Sequence, residues 1–187
     1  MPAIARTRIA ILATHGFEQS ELEVPLKTLR EKGATVDVVS LKAGEIKGWD
    51  EKDWGAAVSV DRVLADAEPA DYDALVLPGG QINPDLLRIE DDAIDFIKGF
   101  DRAGKPIAAI CHAPWLLVEA GLLKGRRVTS YHSIRTDVVN AGAEWVDESV
   151  VRDGLLATSR NPGDLENFVA AIVEMVEEGA ATREAAE

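Results

Sequence analysis

The only cysteine of the chain, Cys111, is followed directly by a histidine, His112. The apolar run from Pro106 to Ile110 predicts a buried strand, and Pro114 can begin a helix just beyond the cysteine. A nucleophile at such a strand-to-helix turn stands at the carboxyl end of the sheet, near a helix N-terminus whose partial positive charge lowers a thiol pKa. A free cysteine is otherwise most often an inert core residue, but a core residue would lie inside the strand. We therefore interpret Cys111 as a nucleophile and His112 as its base or thiolate partner, rather than as a polar residue at a helix start.

A carboxyl group, that of Glu18, follows the first predicted strand, which spans Arg8 to Ala13. Parallel strands bring their carboxyl ends together, which would place this carboxyl beside the Cys111 sulfur. Two anions repel each other in such a pocket, so Glu18 would keep its proton and donate a hydrogen bond to the thiolate. The alternative is an ordinary acidic residue near a helix N-terminus, where the helix dipole favours it.

A pair of glycines, Gly79 and Gly80, follows a short buried strand from Ala74 to Leu77. Glycine lets backbone N–H groups turn inward, where they can bind the negative oxygen that forms in acyl transfer. A plain turn explains the same residues, so this segment supports an oxyanion site only in combination with the cysteine.

The remaining histidines, His15 and His132, have no spacing typical of metal ligands. We interpret both, together with Tyr131, as residues of the pocket rim. A single cysteine excludes an internal disulfide and a cysteine-based zinc site. The sequence therefore implies no metal and no cofactor.

The composition is that of a globular chain: of its 187 residues, 47% are hydrophobic and 28% charged. The formal net charge is −13 and no basic stripe is visible, which argues against stable nucleic-acid binding. No stretch approaches the roughly 20 apolar residues that a membrane span needs, and no secretory leader is evident. We expect a cytoplasmic protein that binds no membrane.

Strands that alternate with helices along the chain predict one α/β domain with a mostly parallel sheet and helices on both faces. The domain spans residues 1–187, with a core of about 8–176 and a polar, Ala-rich tail at 177–187 that we expect to be flexible. The region from Gly44 to Ala57 is predicted to be a polar loop, with a short hairpin that resumes at Val58. The other predicted helices are 22–32, 89–103, 114–120, 133–140 and 162–176, and the other strands are 35–41, 128–130, 144–151 and 155–159.

Several of these segments resemble the PfpI-type intracellular protease family, in the superfamily of the parkinsonism-associated deglycase, which shares its core with class I glutamine amidotransferases. The resemblance spans roughly residues 8 to 176. The matching segments are Gly16-Phe17-Glu18, Glu21-Leu22 with Pro25, Ala74 to Gly80, Lys105 to Pro114, Thr129 to Tyr131, Asn140 to Trp145, and Ser159-Arg160 with Pro162, Asp164 and Leu165.

The resemblance implies a flavodoxin-like, doubly wound sheet with a nucleophile-elbow cysteine, and a homodimer or a hexamer built from dimers. It implies that Cys111 is the nucleophile, His112 its partner and Glu18 the carboxylic acid. It also implies that the backbone of Gly80 and His112 forms the oxyanion site. In peptidase-like members of the family, a third acidic residue reaches the site from a neighbouring subunit. The matching position in this chain is Asp85. Family members often have glutamate at that position, and often have glycine where this chain has Ala113, and both departures weaken the case for peptide hydrolysis.

Two classes of function remain open on the sequence. The first is a cysteine-dependent stress-response hydrolase that acts on reactive carbonyls such as methylglyoxal, on their adducts, or on peptides. The alternative is a redox-sensing stress protein that is oxidised at Cys111 without turnover. A glutamine amidotransferase is excluded, since its histidine and glutamate partners come late in the chain and no histidine follows His132.

Overall fold

The structure, a computed structural model, describes residues 3–184. The strands of these residues are β1 Arg8–Leu12, β2 Thr35–Ser40, β3 Glu45–Asp50, β4 Asp53–Ser59, β5 Arg62–Val63, β6 Ala74–Leu77, β7 Ile107–Ile110, β8 Arg127–Val128, β9 Glu144–Trp145, β10 Val150–Asp153 and β11 Leu156–Ser159. The α-helices are α1 Gln19–Glu31, α2 Ile82–Leu87, α3 Asp91–Arg102, α4 Pro114–Glu119, α5 Arg135–Asn140 and α6 Leu165–Glu184.

The central sheet has the strand order β10-β11-β7-β6-β1-β2-β5 within residues 3–184, and every neighbouring pair is parallel except β10 and β11. Strands β1, β6 and β7 lie side by side, so their carboxyl ends meet at the middle of one sheet edge. This order confirms the predicted α/β class with a mostly parallel sheet, and it brings the three polar segments of the sequence to one place.

Helices cover both faces of the sheet because the strand side chains alternate between two cores. In β1, Ile9 and Ile11 belong to the core beneath α1 and α6, whereas Ala10 and Leu12 belong to the core beneath α3 and α4. All four side chains are fully buried. This double coverage leaves the carboxyl edge of the central strands as the place where polar groups can gather.

Several parts of the chain differ from the prediction, including the unpredicted α2 and the strand predicted at 144–151, which is split into β9 and β10. The region predicted as a polar loop with a short hairpin is a longer antiparallel hairpin of β3 and β4, which is separate from the main sheet. The strand predicted at 128–130 is the two-residue β8, and it pairs with β9 outside the main sheet. Helix α6 continues through Glu184, beyond the predicted helix end at 176. The flexibility expected of 177–187 stays a prediction, and 185–187 lie outside the described residues.

The described part of the chain contains no helix that combines the length and the apolarity needed to cross a bilayer. Residues 3–184 also bring together no group of three or more His, Cys, Asp or Glu side chains that could hold a metal ion.

Candidate active site

The elbow at the end of β7 holds Cys111 with a φ angle of 65°, in the left-handed region. An L-residue with a side chain pays about 1–2 kcal/mol for this conformation, so the surrounding structure must enforce it. Two backbone hydrogen bonds do so: Cys111 N–H donates to Ser159 O at 3.0 Å, and Tyr131 N–H donates to Cys111 O at 2.8 Å. The thiol is thereby turned out of the strand direction, although Cys111 stays buried, with 6% of its surface exposed.

The carboxyl group that contacts the Cys111 side chain is that of Glu21, not that of Glu18. Glu21 is in the first turn of α1 and is completely buried. Its Oε2 accepts the N–H of Gly79 at 2.8 Å, and its Oε1 has no hydrogen-bond partner among the described residues. Burial raises the pKa of Glu21 to about 8, so the carboxyl is mostly protonated at neutral pH and can donate a hydrogen bond.

The expected placement of Glu18 beside the sulfur is wrong because Glu18 precedes the helix as its N-cap residue. Its Oε1 accepts a hydrogen bond from Ser20 Oγ at 3.2 Å, and its half-buried position raises its pKa. The sequence did contain a signal for Glu21. This residue lies four positions before Pro25 and eight before Leu29, and both of these are buried, so all three share the inward face of α1.

The two glycines after β6 serve different groups. The N–H of Gly79 is taken by Glu21, whereas the N–H groups of Gly80 and His112 lower the pKa of the Cys111 thiol, and the Gly80 N–H also lowers the pKa of Glu21. A Cβ at Gly79 would lie 2.6 Å from Cys111 Cβ and 2.6 Å from Glu21 Oε2, so only glycine fits between them. The predicted oxyanion donors thus reduce to Gly80 and His112, which converge on the sulfur.

His112 contacts the sulfur through one ring nitrogen and a hydroxyl through the other. Its Nδ1 is 3.2 Å from Cys111 Sγ, and its Nε2 is 3.3 Å from Ser133 Oγ. Burial lowers the pKa of His112, which favours the neutral ring at pH 7. The tautomer that suits both contacts has a lone pair on Nδ1 facing the thiol and a proton on Nε2 facing Ser133. Neutral His112 can therefore accept the thiol proton.

The electrostatics of Cys111 oppose the lowered pKa that the sequence predicted from a helix N-terminus. Burial raises the pKa of the Cys111 thiol, and an ionised Glu21 raises it further. The N–H groups of Gly80 and His112 act in the other direction. Since Glu21 keeps its proton up to about pH 8, its repulsion is weak at neutral pH, and the arrangement suits a thiol that loses its proton as it reacts.

The rim residues take up three different positions. Tyr131 stacks on the His112 ring with centroids 4.6 Å apart, and His132 lies exposed against Tyr131 at 4.5 Å. His15 is exposed and accepts the N–H of Lys47, in β3, at 3.1 Å. Trp115, in α4, meets the His112 ring edge-on, with ring centroids 5.3 Å apart.

The acidic residue expected from the family resemblance, Asp85, is exposed on α2. No carboxylate contacts either ring nitrogen of His112 among residues 3–184 of the single chain. Whether Asp85 serves a neighbouring subunit therefore stays a prediction.

The hairpin of β3 and β4 anchors the loop that leads from β1 to Glu18. Gly16 N–H donates to Lys47 O at 2.8 Å, and Trp49 N–H donates to Phe17 O at 2.7 Å. The Gln19 side chain accepts the N–H of Ala56 at 2.7 Å. These bonds make the hairpin one wall of the site, a role that its polar sequence did not indicate.

Comparisons with known proteins agree with this geometry. A family model described as the DJ-1/PfpI family matches residues 7–175. Deglycase TK1284 of Thermococcus kodakarensis is 43% identical over 169 residues, 90% of this chain and 99% of that protein. The putative cysteine protease YraA of Bacillus subtilis is 43% identical over 162 residues, 86% and 93% of the two chains. General stress protein 18 of the same organism is 44% identical over 163 residues, 86% and 92% of the two chains.

Among solved structures, Drosophila melanogaster DJ-1beta superposes with a TM-score of 0.81 at 32% identity, over 94% of this chain and 96% of that chain. The similarity therefore extends over the whole sheet and its helices. The names of the relatives support an enzymatic function of deglycase or protease type for such chains.

Proposed function

The chain belongs to the DJ-1/PfpI family, and from that premise we propose that it is a cysteine-dependent hydrolase of reactive carbonyls and their adducts. The observation that carries the proposal is the set of groups around the Cys111 sulfur. Backbone N–H groups of Gly80 and His112, the protonated carboxyl of Glu21 and the Nδ1 of His112 all meet there. They supply a base, an acid and an anion site around one nucleophile.

Methylglyoxal illustrates the chemistry. The Cys111 sulfur adds to the aldehyde carbon, its proton passes to His112 Nδ1, and the carbonyl oxygen takes a proton from Glu21, which gives a hemithioacetal. Glu21, now a carboxylate, takes the proton from the carbon that bears sulfur, and His112 protonates the ketone oxygen, which gives an enediol. Glu21 then returns the proton to the former ketone carbon, and the hydroxyl on the sulfur-bearing carbon gives its proton back to Glu21 as it becomes a carbonyl. The product is a thioester of lactate. Water then attacks the thioester carbonyl, and the C–S bond breaks. Lactate leaves, and Cys111 regains its proton as the free thiol.

A carbonyl substrate fits the site better than a peptide. Peptide cleavage needs an oriented His112 that protonates an amine leaving group, and this orientation is normally the task of a carboxylate. Within the described chain, His112 Nε2 meets the hydroxyl of Ser133 instead. Addition to an aldehyde expels no leaving group, so it makes smaller demands on the histidine. Peptide hydrolysis remains a proposal that depends on Asp85 of a neighbouring subunit.

Lactate formation from methylglyoxal tests the proposal. We expect turnover by the wild-type protein and none above the buffer rate by Cys111→Ala, with His15→Ala as a matched control that changes a rim histidine away from the sulfur. Equal rates for the wild type and Cys111→Ala would contradict the proposal.

A redox-sensing role is the second candidate, and the contact between Glu21 and Cys111 favours it. A protonated carboxyl beside the sulfur can hydrogen-bond a sulfinate and stop oxidation at that stage, and the chain has no second cysteine to form a disulfide. Mass spectrometry after mild peroxide should then show two added oxygens on Cys111 and further oxidation in Glu21→Leu. An unmodified Cys111 would contradict this role.

We further propose a cytoplasmic homodimer, or a hexamer built from dimers, with no stable nucleic-acid or membrane binding. Light scattering on the protein as it elutes from a size-exclusion column measures its molar mass and distinguishes a dimer from a hexamer. A monomer at micromolar concentration would contradict the proposal.

A further inference from the structure

The side chain of Asn83, at the start of α2, lies fully buried between the ends of two central strands. Its Oδ1 accepts the N–H of Thr14, just beyond β1, at 2.7 Å. Its Nδ2 donates to the carbonyls of Pro78 and Gly79, just beyond β6, at 2.9 and 3.2 Å. Both hydrogens of the amide and its oxygen are thus used on backbone groups.

One of these bonds bears on the reactive cysteine through a single peptide unit. The carbonyl of Gly79 and the N–H of Gly80 belong to the same peptide, and in a trans peptide the two point in opposite directions. The Gly79 oxygen is held by Asn83 Nδ2 and also by the N–H of Glu18 at 3.3 Å. With the oxygen held on one side, the Gly80 N–H is directed to the other side, where a Cβ at Gly79 would meet Cys111 and Glu21 at 2.6 Å. The Gly80 N–H lowers the pKa of both side chains, in agreement with this direction.

The peptide cannot hold this orientation through glycine alone. Gly80 has a φ angle of 78° and leaves no room for a Cβ, which would lie 2.4 Å from Gly16 O. Glycine permits this conformation but restricts it less than any other residue, so side-chain contacts must select it. Asn83 is the side chain that bonds to this peptide oxygen.

We propose that Asn83 is a positioning residue of the reactive site: its amide fixes the Gly79–Gly80 peptide so that the Gly80 N–H faces the Cys111 sulfur. The inference rests on the proposed function in that Cys111 is the reacting group. It adds that the donor to the sulfur is set by a side chain that touches neither the sulfur nor the substrate.

Loss of the oriented Gly80 N–H should destabilise the thiolate form of Cys111 relative to the thiol. A hydrogen bond to a charged group contributes on the order of one pKa unit, which corresponds to about a tenfold smaller fraction of thiolate at a given pH. A residue that only stabilised the fold would lower the melting temperature without changing the thiolate pKa. The pKa is therefore the readout that separates the two roles.

The test measures the thiolate pKa of Cys111 from the pH dependence of iodoacetamide alkylation and of absorbance at 240 nm, on folded protein. The variants are Asn83→Leu, which keeps most of the volume, and Asn83→Ala, in case the leucine prevents folding. Thr158→Val is the matched control, because it removes another fully buried hydrogen bond, from Thr129 N–H at 2.9 Å, without contacting the Gly79–Gly80 peptide.

We expect the thiolate pKa to rise by about one unit in the Asn83 variants and to stay at the wild-type value in Thr158→Val. Asn83 variants that lose stability but keep the wild-type pKa would overturn the inference. The failure of the proposed function is a separate result: it would appear as wild-type protein without carbonyl turnover, while the pKa difference between wild type and Asn83 variants still decides the role of Asn83.

Discussion

Replacing Glu21 with glutamine should make the protein more stable as the pH rises, because the buried carboxyl must otherwise lose its proton there. Glutamine has the same shape, can accept the Gly79 N–H and carries no charge. Burial raises the pKa of Glu21 from 4.5 to about 8. The unfolded state of such a carboxyl loses its proton at a lower pH than the folded state does. The free energy of unfolding therefore falls as the pH rises from the unfolded-state pKa to the folded-state pKa.

The magnitude follows from these two pKa values. At about 1.4 kcal/mol per pH unit, with the slope reduced near each of the two pKa values, the linkage amounts to roughly 3.5 kcal/mol between pH 5 and pH 8. Urea unfolding of the wild type and Glu21→Gln at several pH values in this range isolates the effect, because the other groups are common to both. Glu18→Gln is the control, since Glu18 is only half-buried and should give a smaller change. A difference between wild type and Glu21→Gln that is constant with pH would refute a protonated Glu21.

Three further predictions concern the neighbours of the sulfur. The C2 proton resonance of His112 should titrate below 6.5, since burial lowers the pKa of His112, and a midpoint at or above 6.5 would contradict this effect of burial. Gly79→Ala should cost about 1–3 kcal/mol in urea unfolding and slow alkylation of Cys111, because the new methyl group meets Cys111 and Glu21. Gly121→Ala has open space around it and should cost only about 1–2 kcal/mol from its positive φ, with unchanged alkylation. Asp85→Ala should keep the wild-type rate on methylglyoxal and lose any peptide hydrolysis; a loss of both activities would place Asp85 in the carbonyl reaction as well.

Much of the fold was predictable because its signals are local. The apolar run that ends at Ile110, the Pro-Gly-Gly after Leu77 and the helical spacing after β1 each identify an element from a few neighbouring residues. The preference for right-handed connections between parallel strands narrows the possible strand orders but does not fix one. The hairpin of β3 and β4 was predicted only as a short hairpin within a polar loop, because β4 is largely exposed and shows no regular alternation of buried and exposed residues.

The site was predictable only in part, for a physical reason. Cys111 and His112 are adjacent in sequence, and their chemistry follows from the strand-to-helix turn. The choice between Glu18 and Glu21 depends on where α1 begins, and a boundary error of a few residues moves a carboxyl from the mouth of the site to its interior. Ser133 contacts His112 across 21 positions of the chain, and Asn83 contacts Thr14 across 69 positions. No local sequence pattern encodes such contacts.

A time course of covalent species on Cys111 tests the central claim most directly. Wild-type protein is mixed with methylglyoxal, quenched with acid at short intervals and mapped by mass spectrometry, while lactate is measured in the same samples. The account predicts a transient adduct of one methylglyoxal on Cys111 that rises before lactate appears and decays as lactate accumulates. Lactate that forms with Cys111 unmodified throughout, or with adducts on lysine and arginine side chains alone, would contradict it.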